Sequence, residues 1–258
     1  MTTRDHAPSG APTWADLWTS DVDGSRRFYG ELFGWEALAP DPNFGGYFMF
    51  SSDGVQVAGA MGDMGPSLPA NDTWKIYLAC DDAAKTLATV ESEGGTAVMP
   101  LMEVGDAGIQ STIIDPTGAT LGVWQAKEYP GFTLLDVPGA PSWFELHTRD
   151  YDRAVEFYRA AFGWETQPIP DTHEIRYSLM RNPEADGELA GIMDASSLLA
   201  EGEPSHWVIY WEVADIDATV AGLSSLGGSV LSAPESTPYG RIAHVADPAG
   251  ARFSLRTR

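Results

Sequence analysis

The most constraining feature of this 258-residue chain is that it repeats itself. Residues 12–37, PTWADLWTSDVDGSRRFYGELFGWEA, return at 141–166 as PSWFELHTRDYDRAVEFYRAAFGWET, and the register holds almost to the C-terminus. Trp74-Lys75-Ile76-Tyr77 realigns with Trp207-Val208-Ile209-Tyr210, Gly94-Gly95 with Gly227-Gly228, and Asp115-Pro116-Thr117-Gly118 with Asp247-Pro248-Ala249-Gly250. The offset stays between 129 and 133 residues. A solenoid repeat is far shorter, roughly 20 to 50 residues, so the pattern predicts a duplicated domain.

Each copy repeats its order of elements once more. Trp14 to Thr19 alternates as a strand does, Ser20-Asp21 offers an N-cap, and a helix carrying Phe28, Leu32 and Phe33 ends at Gly34, a natural left-handed stop. Residues 45–61 read as strand segments about the turn Ser52-Asp53-Gly54. The plan then restarts with a strand from Trp74 to Cys80, a cap at Asp81-Asp82, a helix up to Gly94-Gly95, and strands at 96–104, 108–114 and 119–125. The Asp-Pro-x-Gly before the last strand suits a type I turn. The fold class is α+β, with four βαβββ units. The expected boundaries are a flexible tail at 1–11, a first domain at 12–126, a linker at 127–139 (KEYPGFTLLDVPG) and a second domain at 140–258.

Fifteen Lys and Arg against 37 Asp and Glu leave a formal charge of -22, which repels phosphate backbones and anionic headgroups. No nucleic-acid or membrane partner is expected. A single cysteine, Cys80, excludes an intramolecular disulfide, and no apolar run approaches the roughly 20 residues that span a bilayer. The start MTTRDHAPSGAPT lacks the basic and apolar runs of a signal peptide, so a cytoplasmic protein is expected. A homodimer is compatible with these features.

The doubled βαβββ unit, the opening W-x-[DE]-L-x-T-x-D, Phe-Tyr within the helix, Phe-Gly-Trp at its end and Asp-Pro-x-Gly before the last strand resemble the vicinal oxygen chelate superfamily. That superfamily includes glyoxalases, extradiol dioxygenases and bleomycin-binding resistance proteins. The likeness runs from about Pro12 to Arg256 and is similar in arrangement to tandem two-module glyoxalase-like proteins. It implies two glyoxalase-like domains, each a half-open barrel around a cavity. It also implies metal-ligand positions at Trp14 and Trp143, at Lys75 and Val208, and at Gly122 and Ser254. None of these is a usual ligand, so no metal or other cofactor is expected there.

Strand parity points to the cavity side independently of the resemblance. Ala15 and Leu17, like Phe144 and Leu146, form an apolar set that should pack under a helix. The alternate residues then face inward: Trp14, Asp16, Trp18, Lys75, Tyr77 and Trp124 in copy one, and Trp143, Glu145, His147, Tyr210, Glu212 and Arg252 in copy two. Copy one reads as an aromatic box with an Asp16–Lys75 ion pair. In copy two, Glu145 and His147 sit about 6.6 Å apart at a rise of about 3.3 Å per residue, a spacing expected to share a water or a substrate. His206 has matching parity. With His147 and Glu145 or Glu212 it could complete a two-His, one-carboxylate set, although strand offsets predict wide separation. His173 reads as a turn residue, and His244 has ambiguous parity.

Aromatic walls with few polar groups suit a small aromatic or conjugated metabolite, to be sequestered or carried. A second reading is a metal-independent lyase, isomerase or hydroxylase-type enzyme using Glu145, His147, Tyr210 and Glu212. A metal-dependent lyase or dioxygenase is opposed by Trp14, Trp143, Val208 and Gly122. Whether each barrel forms from adjacent or exchanged units stays open.

Overall fold

The computed structural model describes residues 2–65, 70–169, 176–183 and 187–258. His173 lies outside them. Strand β1 (Thr2–Thr3) precedes the first unit, which runs β2 (Pro12–Trp18), α1 (Val22–Phe33), β3 (Glu36–Ala37), β4 (Phe48–Ser52) and β5 (Val55–Met61). The second unit runs β6 (Thr73–Ala79), α2 (Ala83–Ser92), β7 (Thr96–Ala97), β8 (Met102–Val104), β9 (Gly108–Ile114) and β10 (Thr120–Ala126). After β11 (Leu134–Leu135) the third unit follows as β12 (Pro141–Thr148), α3 (Tyr151–Phe162), β13 (Glu165–Pro168), β14 (Tyr177–Arg181) and β15 (Ala190–Asp194). The fourth is β16 (His206–Glu212), α4 (Ile216–Ser225), β17 (Ser229–Thr237), β18 (Gly240–Ala246) and β19 (Arg252–Thr257).

Local chemistry sets the helix ends as the sequence suggests. The carboxylates of Asp21, Asp82, Asp150 and Asp215 accept from the backbone N–H three residues on, satisfying donors that the first helical turn leaves orphaned. Helices α1 and α3 stop at Gly34 and Gly163, whose φ values of 73° and 69° a residue with a Cβ adopts only at a cost.

Each of the two large sheets is built from a single copy, so the barrels form from adjacent units, and β1 pairs separately with β11. The order is β3-β4-β5-β2-β6-β10-β9-β7 in copy one and β13-β14-β15-β12-β16-β19-β18-β17 in copy two. At the centre of each, the first strands of the two units run antiparallel, β2 against β6 and β12 against β16. One strand face packs on helices while the other is left for the cavity.

The helix-bearing faces of the two copies meet, and the shared motifs form the seam. The Tyr29 hydroxyl donates to Asp247 (3.0 Å) and the Tyr158 hydroxyl to Asp115 (2.9 Å), so each copy's Phe-Tyr tyrosine bonds the other copy's Asp-Pro turn. The indoles of Trp74 and Trp207 donate to these same hydroxyls at 3.1 and 3.0 Å. Trp35 and Trp164, from Phe-Gly-Trp, donate to the carbonyls of Gly139 (2.8 Å) and Gly10 (2.9 Å). Rings stack around them, Tyr29 on Trp35 and Tyr158 on Trp164, while Trp35 meets Trp211 at 4.9 Å across the seam. Truncating either motif tryptophan to alanine would cost about 3–5 kcal/mol.

The segment 4–11, expected as a loose tail, makes specific contacts. Arg4 donates to the carbonyls of Phe132 and Pro12, Gly10 and Ala11 exchange backbone bonds with Ala79, and the Gly10 carbonyl receives Trp164.

Candidate functional site

Both inner faces hold a carboxylate inside aromatic donors. In copy one, Asp16 accepts from Tyr77 (2.7 Å), Tyr47 (2.9 Å) and the Trp14 indole (3.0 Å). In copy two, Glu145 accepts from Tyr210 (3.0 Å) and bonds His147 Nε2 at 2.7 Å, and Tyr177 is a further hydrogen-bond donor to it. Trp14 donates to the Tyr47 hydroxyl and Trp143 to the Tyr177 hydroxyl, both at 3.0 Å. Strand register explains this: Trp14 lies opposite Tyr77 and Trp143 opposite Tyr210, with the carboxylate two residues on. The outer phenols need space that a side chain would fill. A Cβ at Gly59 would lie 1.9 Å from the Tyr47 hydroxyl, and one at Gly191 1.8 Å from that of Tyr177. Tyr47 and Tyr177 are absent from the parity argument, yet they stand at the repeat offset and could have been found through it.

The copies diverge around this shared cage. In copy one the linker closes one end. Trp14 packs at 5.3 Å edge-on against Tyr129 and at 5.1 Å against Phe132, whose N–H donates to the Thr13 carbonyl. Trp124 donates to the Tyr129 carbonyl. The expected four-walled aromatic box takes a different form: Trp14 and Trp124 both meet Tyr129 of the linker, while Trp18 donates its indole N–H to the Gly62 carbonyl and stands with Tyr77 about the Lys75 amine. The expected Asp16–Lys75 ion pair is not formed either. Lys75 donates instead to the Thr112 hydroxyl at 3.2 Å, while Asp16 is held by Trp14, Tyr47 and Tyr77.

In copy two Trp143 is only partly buried, against 6 % exposure for Trp14, and no ring contact to it occurs among the described residues. Glu145 and His147 bond directly, where the Cα spacing suggested a bridged pair; the side chains lean together along the strand. Burial works to raise the Glu145 pKa, but the His147 bond and charge, with Tyr177 and Tyr210, hold it below the usual glutamate value. His206 is the cross-strand partner of His147, with rings 5.5 Å apart, so the wide separation expected from strand offsets does not occur. His244 joins them, 6.5 Å from His147, with Nδ1 on the Ser254 hydroxyl at 2.8 Å. Burial and the His147 charge lower both the His206 and the His244 pKa.

Two expected members lie elsewhere. Arg252 is exposed and pairs with Glu203 at 2.7 Å, outside the cage. Glu212 is buried at the far end of β16, where one oxygen accepts from the Arg258 N–H and the other has no partner. Cys80 is buried and its thiol is pushed up to about 12 by desolvation, which leaves it unreactive.

The residues at the implied metal positions do not fit a divalent cation. The Trp14 and Trp143 indoles are N–H donors already engaged, Lys75 is a donor, Val208 is apolar, and a Cβ at Gly122 would lie 2.0 Å from the Tyr77 ring. Ser254 is occupied by His244. Among the described residues, no group of three or more His, Cys, Asp or Glu side chains could hold a metal. A cleft of about 110 Å³ at the seam, where α1 meets the Asp247 turn, is too small for most metabolites.

Comparison with known proteins agrees with this architecture. The profile of the Glyoxalase/Bleomycin resistance protein/Dioxygenase superfamily matches residues 11–123 and 141–255. CFP32 of Mycobacterium tuberculosis, which carries a provisional glyoxylase name, is 36% identical over 99% of this chain and 97% of its own. The anthracycline biosynthesis protein DauV of Streptomyces sp. strain C5 is 37% identical over 95% of this chain and 92% of its own. Among solved structures, the Mn(II)-bound glyoxalase of Novosphingobium aromaticivorans superposes with a TM-score of 0.65 at 17% identity, covering 97% of this chain and 83% of that one. The 2,3-dioxygenase LapB of Pseudomonas sp. KL28 superposes at 0.64 and 15% identity, covering 98% and 94%. Those two likenesses concern the fold. With both modules matched and full-length relatives above 30% identity, the chain belongs to the glyoxalase/bleomycin resistance protein/dioxygenase superfamily as a tandem two-module member.

Proposed function

We propose that the inner face of copy two binds a small aromatic or conjugated metabolite without a metal at the superfamily's usual positions. The observation that carries this reading is the Glu145 carboxylate, held by Tyr210 and His147 beside a Trp143 ring that the chain leaves partly open. A flat ligand gains stacking on Trp143, worth about 0.5–1.5 kcal/mol beyond its buried area, while a hydroxyl or carbonyl on it exchanges hydrogen bonds with the cage. The relatives named for anthracycline biosynthesis, 37% and 36% identical, favour a polycyclic aromatic ligand of that kind. Titration of tryptophan fluorescence with a panel of such compounds tests the reading. Trp143→Ala should weaken binding about tenfold while Trp14→Ala leaves it within about twofold. Unchanged affinity in Trp143→Ala would sink the site.

The 2.7 Å Glu145–His147 bond also favours a second reading, a metal-independent lyase, isomerase or hydroxylase-type enzyme. The carboxylate orients the imidazole, which places His147 to take a proton from a bound phenol or enol and return it. Turnover that survives both His147→Ala and Glu145→Gln would remove the pair from the chemistry.

A further inference from the structure

Copy one keeps an amine that the copy-two site does not use. Lys75 lies midway along β6 on the inner face, directly across from Asp16. Its Nζ stands 4.8 Å from the Tyr77 ring centroid and 5.9 Å from that of Trp18, and its hydrogen-bond acceptor is the Thr112 hydroxyl at 3.2 Å. Asp16, the nearest carboxylate across the strand pair, is engaged by Trp14, Tyr47 and Tyr77. Among the described residues Lys75 makes no ion pair, while Lys127 pairs with Glu103 and Lys85 stands exposed on α2. Trp18 and Lys75 are both partly open, and Trp18 stands four residues along β2 from Trp14, the ring that the linker covers.

We propose that Lys75 is a covalent anchor for carbonyl compounds, its amine condensing with an aldehyde or ketone borne by an aromatic or conjugated ligand seated against Trp18. The Nζ lone pair attacks the carbonyl carbon, both amine hydrogens leave with the carbonyl oxygen as water, and an imine remains. Thr112 is placed to hydrogen-bond the nitrogen throughout. Burial lowers the Lys75 pKa and so enlarges the fraction present as free amine, while the charge of Asp16 works the other way. The arrangement belongs to copy one alone, since Val208 stands at the matching position. It does not depend on the copy-two cage.

The chain contains three lysines, Lys75, Lys85 and Lys127, which makes the test internally controlled. The full-length protein is incubated with 2-naphthaldehyde and sodium borohydride, which reduces any imine to a stable secondary amine, and the adduct is mapped by peptide mass spectrometry. The expected result is capture at Lys75 about tenfold or more faster than at Lys85 or Lys127 near neutral pH. Lys75→Arg should abolish that adduct and leave the other two sites unchanged. Trp18→Ala should slow 2-naphthaldehyde about threefold or more and leave propanal within about twofold. Equal capture at all three lysines, or capture at Lys85 and Lys127 without Lys75, overturns the proposal. A naphthaldehyde rate indifferent to Trp18→Ala overturns the aromatic seat.

Discussion

Copy one and copy two fold the same way and finish differently. Both place a tryptophan, a carboxylate and two phenols on the inner face, yet copy one covers its tryptophan with Tyr129 and Phe132 of the linker whereas copy two leaves Trp143 partly open beside His147, His206 and His244. Both carboxylates are equally buried, at 8 % exposure each, so the contrast lies in the tryptophan beside them and in what packs against it. Duplication supplied a scaffold, and the segment that follows the last strand of copy one covers Trp14 where Trp143 stays partly exposed.

The largest effects should separate the two tryptophans. Trp14→Ala is expected to cost about 3–5 kcal/mol in urea unfolding, because a fully packed ring leaves a cavity. Trp143→Ala should cost well under half as much and act on ligand affinity instead. Equal losses of stability would break the contrast between plugged and open cages.

Asp115→Asn and Asp247→Asn come next, and they probe what the copies share. Each aspartate accepts a tyrosine hydroxyl from the other copy, so each substitution should cost about 1.5–3 kcal/mol, with the two values close to one another. A marked inequality would show that one half of the seam dominates.

The pH dependence of Glu145 sharpens the comparison further. Its folded pKa is held below the ordinary 4.5, so the carboxylate contributes stability that is present above that value and lost as pH falls through the folded pKa. Relative to the parent, Glu145→Gln should be destabilised by about 1–3 kcal/mol above about pH 5, and the difference should shrink below about pH 4. Denaturant melts across that range check the sign; a gap that widens in acid refutes it.

The smallest effect is expected at Arg252. Its ion pair with Glu203 is exposed, so Arg252→Ala should change stability by less than about 0.5 kcal/mol and leave ligand affinity unchanged. A larger loss of affinity would place it back at the site.

Much of the fold was legible. The Asp21 and Asp82 caps and the Gly34 stop were readable because each is a local decision between residues a few positions apart. Trp14, Asp16 and Tyr77 meet in one hydrogen-bonded group and Glu145, His147 and Tyr210 in another, as side chains that alternation puts on one strand face can. Arg252 shows where it ends: parity says which way a Cβ points, and a long side chain at a strand end can still turn outward to Glu203. The site was less legible than the fold. Tyr47 lies just before β4 and Tyr177 at the first position of β14, where alternation has too few residues to register, and Glu145–His147 depended on side-chain reach and not on Cα spacing.

By itself the sequence determined two copies, four βαβββ units and the turns that join them, because hydrophobic periodicity, caps and glycine stops act within a few residues. Only the tertiary structure decided that Phe-Tyr, Phe-Gly-Trp and Asp-Pro-x-Gly form the seam, that Tyr129 and Phe132 close copy one, and that three histidines gather beside Glu145. Those outcomes rest on contacts such as Tyr29 to Asp247, 218 residues apart, whose partners are chosen by burial and hydrogen-bond satisfaction once the sheets have packed.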